Sequence, residues 1–247
     1  MDNLLTQMVQ TPLTGSARIV NRLNTLWLRR TYPFAAIGRG VWIHHSCELP
    51  RRIAPSMVIG DDVWIGRNVW LNIPRHVECK EPIIILENRS SLGRDCIVSA
   101  QNQIHIGENS IFGPSVFLTD HNHGFEDIRH PIRDQGTTAG GRIRIGKNCW
   151  IGYGAAIVCN GDMLELGDHC VVASNTMITR SFPAYSVIVG NPARIAKQYD
   201  PVKQIWSMGG NPLVGRPNVK LQECITVSGG RTLMDPPASN LFRARNQ

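Results

Sequence analysis

The chain has 247 residues, seven cysteines and a formal charge of +7 at pH 7. That balance suits a polyanionic ligand or an anionic surface; the cations are scattered through loops and both termini without interleaved aromatics, which sets nucleic acid aside. No stretch approaches the ~20 apolar residues of a membrane-spanning helix, and an odd cysteine count with no C-x-x-C pair and no secretory leader predicts a reduced, cytoplasmic protein.

In chain order, residues 1–36 read as an N-terminal helical cap. Within SARIVNRLNTLWLRR (16–30), Ile19, Leu23, Leu26 and Trp27 share one helical face, with Arg18, Arg22 and Arg29 elsewhere. Such a helix can terminate a stack of repeats. The alternative is peripheral membrane association through a basic amphipathic surface helix.

From 37 to 178 an aliphatic residue or phenylalanine recurs every sixth position in runs of three: Ile37/Ile43/Leu49, Ile59/Ile65/Leu71, Leu86/Leu92/Val98, Ile106/Phe112/Leu118, Ile145/Ile151/Ile157 and Leu166/Val172/Ile178. Neither the helical period of about 3.6 nor the strand period of 2 yields six. The residue four later is small, as at Val63, Cys96, Ser110, Cys149 and Thr176, and four of the cysteines (Cys47, Cys96, Cys149, Cys170) stand there. Short strands joined by two-residue turns send both positions inward and close a triangle. Stacked triangles pair every backbone group with the coil above or below. The prediction is an all-β parallel β-helix of about six coils, roughly 29 Å long at the inter-strand spacing.

Ile59-Gly60-Asp61-Asp62-Val63-Trp64-Ile65-Gly66 and Ile145-Gly146-Lys147-Asn148-Cys149-Trp150-Ile151-Gly152 resemble the hexapeptide repeats of the left-handed parallel β-helix acyltransferases. Left-handedness, against the usual crossover rule, is implied by that resemblance. So are homotrimers with active sites between subunits, acetyl-CoA as co-substrate, and no metal requirement.

The steps between runs locate the chemistry. Where a seamless coil steps by six, the chain steps by 10, 15, 8, 27 and 9 residues, and the 27-residue step is an extended loop over 119–144. It opens Thr119-Asp120-His121-Asn122-His123 and carries Glu126, Asp127 and His130. Histidine, with an ordinary pKa near 6.5, suits a general base at neutral pH. The resemblance makes His121 the base that deprotonates an acceptor hydroxyl for direct attack on the thioester in a ternary complex. His123, Gln101 and Asn102 become acceptor-binding candidates, and the D-H-x-H opening looks like the sugar and polysaccharide O-acetyltransferase branch. A carboxylate or carbonyl should hold the other ring nitrogen of His121, with Glu126 and Asp127 as candidates. Residues 72–85 form an insertion of their own.

Residues 179–200 end the repeat and supply a coenzyme A segment, with a short helix expected near Ala193; residues 201–247 are a C-terminal extension without a legible motif. By resemblance Tyr153 and Ser174, with Trp150 nearby, face the pantetheine arm, and Thr179, Arg180, Arg194 and Lys197 face phosphates and adenine. Guanidinium groups match phosphate oxygens in a bidentate manner. Rival readings are an antibiotic O-acetyltransferase, a γ-type zinc carbonic anhydrase drawing on histidines such as His44, His76 and His105, and a non-catalytic scaffold.

Overall fold

The computed structural model describes residues 12–74 and 81–208. Cys79, Cys224, His76 and most of the C-terminal extension lie outside the described residues.

The chain winds through six coils. β1 (Ala36–Ile37) and β2 (Trp42–Ile43) start the first, which a bridge from Glu48 to Trp70 closes. The second coil is β3 (Met57–Ile59), β4 (Trp64–Ile65) and β5 (Trp70–Asn72), and the third β6 (Ile84–Leu86), β7 (Ser91–Leu92) and β8 (Ile97–Ser99). The fourth is β9 (Gln103–Ile106), β10 (Ile111–Phe112) and β11 (Phe117–Thr119), and the fifth β12 (Arg142–Ile145), β13 (Trp150–Ile151) and β14 (Ala156–Val158). The sixth is β15 (Met163–Leu166), β16 (Val171–Val172) and β17 (Met177–Ile178). Each strand pairs in parallel with its copies in neighbouring coils, giving three sheets. The sixfold aliphatic positions line up in register, Ile65 on Leu92, Phe112 and Ile151 for example, and are buried in one column.

Corners explain the period. The third residue after the aliphatic position turns through a positive φ at Gly40, Asp62, Asn68, Arg89, Asp95, Asn109, Ser115, Asn148, Gly154, His169 and Asn175. Asp, Asn and Gly dominate because they tolerate left-handed backbone. The glycine that follows many aliphatic positions answers a different need: a Cβ on Gly107 would stand 2.6 Å from the backbone of Gly146 in the next coil. At the inward turn position, burial pushes the thiols of Cys47 and Cys96 up to about 11, so both act as compact apolar fillers.

These corners join the first sheet to the second and the second to the third. Every insertion falls at the remaining corner, from the third sheet back to the first. One edge of the prism therefore carries all the irregular chain, including the long loop.

Both ends are covered. α1 (Pro12–Thr31) lies against the first coil, where Ile43 N–H donates to Thr25 Oγ1 at 3.0 Å and His45 N–H to Asn21 Oδ1 at 3.0 Å. At the other end β18 (Ser186–Val189) adds to the second sheet in parallel, and β19 (Arg194–Asp200) and β20 (Ile205–Met208) follow antiparallel. The helix expected near Ala193 is thus a strand. Gly190, at φ +92, starts a turn that folds the chain back onto the exposed edge of β18, where ladder hydrogen bonds outweigh the weak helical preference of a short segment.

Candidate active site

The alternation of β11 points Leu118 into the prism, and two residues further the same phase falls on Asp120. Neighbouring coils hold Ile73, Ala100 and Cys159 at that phase, all buried. Asp120 is 0% exposed, so a carboxylate occupies an otherwise apolar column. Burying an unpaired charge costs several kcal/mol; here the preceding coil supplies donors. Oδ1 accepts the N–H of Gln101 at 2.7 Å, and Oδ2 accepts those of Asn102 at 2.8 Å and Gln103 at 3.0 Å.

The fourth partner is the next residue. His121 Nδ1 lies 2.9 Å from Asp120 Oδ1, with the ring 11% exposed. A carboxylate only accepts, so the shared proton sits on Nδ1 and Nε2 presents a lone pair. Among the described residues Nε2 has no hydrogen-bond partner. Thr119 Oγ1 donates to the carbonyl of His121 at 2.9 Å, fixing the bend that brings adjacent side chains together.

The excursion beyond is a clamped hairpin. Thr138 N–H donates to Asn122 O at 2.8 Å, Gly124 N–H to Gly136 O at 3.0 Å, and His123 bridges Thr137 antiparallel. Gln101, buried, grips the returning leg: its Nε2 donates to the carbonyls of Thr138 and Ala139, each at 2.9 Å, and its Oε1 accepts from Thr137 Oγ1 at 2.7 Å. Asn102 Nδ2 adds a bond to Ala139 O at 2.9 Å. Both side chains hold the loop in place; Asn102 is also exposed at the loop foot, and Gln101 is buried. His123 is exposed near the loop foot.

Neither Glu126 nor Asp127 meets His121. Glu126 is exposed, and Asp127 turns to Arg129 and His130 at the tip, where the Arg129 guanidinium holds its carboxyl well below the usual carboxylate range. Asp120 does the orienting work. The sequence carries a signal within the four inner coils, where two residues beyond Leu71, Val98 and Ile157 stand Ile73, Ala100 and Cys159 and two beyond Leu118 stands Asp120, although the end coils put Arg51 and Arg180 at that register.

Gly140 closes the loop against this pair. Its φ is +72, and a Cβ would meet Asp120 O at 2.8 Å, Asn102 Nδ2 at 2.9 Å and His121 Cβ at 3.2 Å. Gly140→Ala is expected to cost about 2 kcal/mol, from strained backbone and crowding together. Urea denaturation would show it, and a stability within error of the unaltered chain would refute it.

The residues expected to face coenzyme A lie on the second sheet's outer face, its turns and the chain end. Trp150 and Tyr153 are exposed on coil 5, and Ser174, Thr179 and Arg180 are exposed on and just beyond coil 6. Arg180 stands over the Phe182 ring at 5.1 Å, with its Nη2 3.4 Å from Ala193 O, beside Arg194 and Lys197 on β19. These three cations form no carboxylate pair among the described residues. In the same residues no three His, Cys, Asp or Glu side chains converge as a metal site.

The model of the hexapeptide repeat of succinyl-transferase matches residues 142–180. A probable acetyltransferase of Mycobacterium tuberculosis is 29% identical over 161 residues, 65% of this chain and 49% of the relative. A putative lipopolysaccharide biosynthesis O-acetyl transferase of Escherichia coli is 29% identical over 115 residues, 44% of this chain and 57% of the relative. The chain thus spans about half the length of these curated relatives. Among solved structures, a mutant of the N-acyltransferase AntD of Bacillus cereus, in complex with dTDP-4-amino-4,6-dideoxyglucose and coenzyme A, superposes with a TM-score of 0.58 at 15% identity, over 72% of this chain and 91% of that one, a likeness of fold. With its coils, its corner chemistry and this matched repeat, the chain has the parallel β-helix fold and is similar in sequence to hexapeptide-repeat acetyltransferases.

Proposed function

We propose that the protein is an acetyl-CoA-dependent O-acetyltransferase acting on a sugar hydroxyl of a surface polysaccharide or its precursor. The observation that carries this is the Asp120–His121 pair at the foot of the long loop, with Nδ1 held by a buried carboxylate and Nε2 open. Relatives that are acetyltransferases, one assigned to lipopolysaccharide biosynthesis, favour the sugar acceptor.

Acetyl-CoA would supply an acyl group activated as a thioester. His121 Nε2 takes the proton of the acceptor hydroxyl as that oxygen bonds to the acyl carbon, and returns it to the departing sulfur. Asp120 stabilises the imidazolium between these two transfers. Arg180, Arg194 and Lys197, without carboxylate partners among the described residues, suit with Thr179 the phosphates and adenine of an elongated polyanion, and the exposed Tyr153 and Ser174 suit its pantetheine arm. His123, exposed near the loop foot, is available to contact the acceptor.

A homotrimer with sites between subunits accords with the apolar residues left outward: Trp64, Ile111 and Trp150 on the second sheet, Trp70 and Phe117 on the third. The free cysteines accord with a cytoplasmic setting.

The test is transfer of labelled acetyl groups from acetyl-CoA to a panel of sugar and glycan acceptors. Within it, Arg180→Ala/Arg194→Ala should raise KM for acetyl-CoA about tenfold or more, with kcat held within about twofold. No transfer to any hydroxyl acceptor would end the reading, and an unchanged KM would remove the arginines from it.

A further inference from the structure

α1 is amphipathic, yet it docks with its polar side inward. Asn21, Thr25 and Leu28 are buried against the first coil, where Asn21 Oδ1 lies 2.7 Å from His45 Nδ1 and Thr25 takes the Ile43 N–H. The opposite face presents Ile19, Val20, Leu23, Leu26 and Trp27, all exposed, Leu23 at 60% and Trp27 at 55%. Spacings of three and four residues make them one continuous stripe. A helix ordinarily turns such a stripe to its own core; here hydrogen-bonding side chains hold the helix and the stripe faces out.

Charge identifies the partner. The described helix contains no acidic residue, and carries Arg18, Arg22, Arg29 and Arg30. Arg29 binds the carbonyls of Ile37 and Gly38, while Arg22 and Arg30 are exposed beside the stripe. At the helix end the exposed Trp27, an amphipathic aromatic that favours headgroup depth, meets Tyr32 edge-on at 5.5 Å, and Tyr32 with Phe34 packs against the core. A second copy of this chain, itself +7, would bring like charge to the arginines. An anionic bilayer offers hydrocarbon to Leu23 and Trp27 and phosphate to Arg22 and Arg30 together.

We propose that the outward face of α1 seats the protein on an anionic phospholipid surface, with the helix lying flat among the headgroups. Among the described residues no helix is long and apolar enough to cross a membrane. The proposal stands apart from the chemistry assigned to His121.

Co-sedimentation of the full chain with vesicles tests it, using phosphatidylcholine alone and phosphatidylcholine mixed with phosphatidylglycerol. The unaltered protein should pellet with the anionic vesicles and release as salt rises. Leu23→Ser/Trp27→Ser should lower that partitioning about tenfold or more, and Arg22→Gln/Arg30→Gln should abolish the preference for the anionic mixture. All four residues are exposed, so circular dichroism should match the unaltered chain. An unaltered chain that stays in the supernatant at low salt, or a serine variant that binds as well as it does, overturns the proposal. If the serine variant instead shifts to a smaller assembly while the unaltered chain ignores vesicles, the stripe joins copies of the chain and the membrane proposal falls.

Discussion

His121→Ala is expected to lower acetyl transfer at saturating substrates by at least about 10²-fold, and by as much as about 10⁴-fold, while leaving the affinity for acetyl-CoA unchanged. The barrier increment is about 3–5 kcal/mol. A sugar hydroxyl is a poor nucleophile while it keeps its proton, and Nε2 is the one acceptor that the loop foot presents on an oriented ring. His123, two residues on, is exposed and tied through its backbone to Thr137, so its ring lacks the carboxylate that fixes His121. His123→Ala should therefore hold kcat within about threefold and act on KM for the acceptor. Equal losses in the two variants would dissolve the distinction, and unchanged turnover in His121→Ala would remove that residue from the mechanism.

Most of the coil was legible because its physics is local and repetitive. A buried aliphatic at every sixth position, a small residue four later, and Asn, Asp or Gly at the left-handed corner each constrain residue type directly, and the aliphatic runs from Ile37 to Ile178 align in the observed sheets. Step lengths between runs also located the long excursion. What resisted reading depended on contacts across coils. Asp120 looked like one more acid in a polar loop because its burial follows from a column of residues about 20 and 40 positions away, Ala100 and Cys159. Gln101 and Asn102 suggest acceptor contacts because an amide can bind a sugar or a backbone, and their bonds to the returning leg at Thr138 and Ala139 are legible only once the loop is folded. The strand at 194–200 follows from the free edge of β18, which no local propensity reveals.

Asp120→Asn should fold and yet lose activity by about 10²–10⁴-fold, because it forces the wrong tautomer on His121. The geometry dictates which way the new amide turns. At the Oδ2 position an NH2 group would oppose two donors, the N–H groups of Asn102 and Gln103; at Oδ1 it would oppose only that of Gln101. The carbonyl therefore takes the Oδ2 side and the NH2 group faces His121 Nδ1, to which it donates. Nδ1 then holds the lone pair and the proton moves to Nε2, where the base has to be free. Asp120→Ala is harsher: it leaves three N–H groups unpaired in the interior, at about 1–3 kcal/mol each, and should fail in stability before it can report on catalysis. The asparagine variant separates the roles. Ring-nitrogen chemical shifts of His121 should show protonation switching from Nδ1 to Nε2, with acetyl-CoA affinity unchanged and stability lowered only by the one N–H left unpaired at Gln101, about 1–3 kcal/mol. Turnover within about threefold of the unaltered chain would mean that the buried carboxylate only braces the coil and takes no part in setting the base.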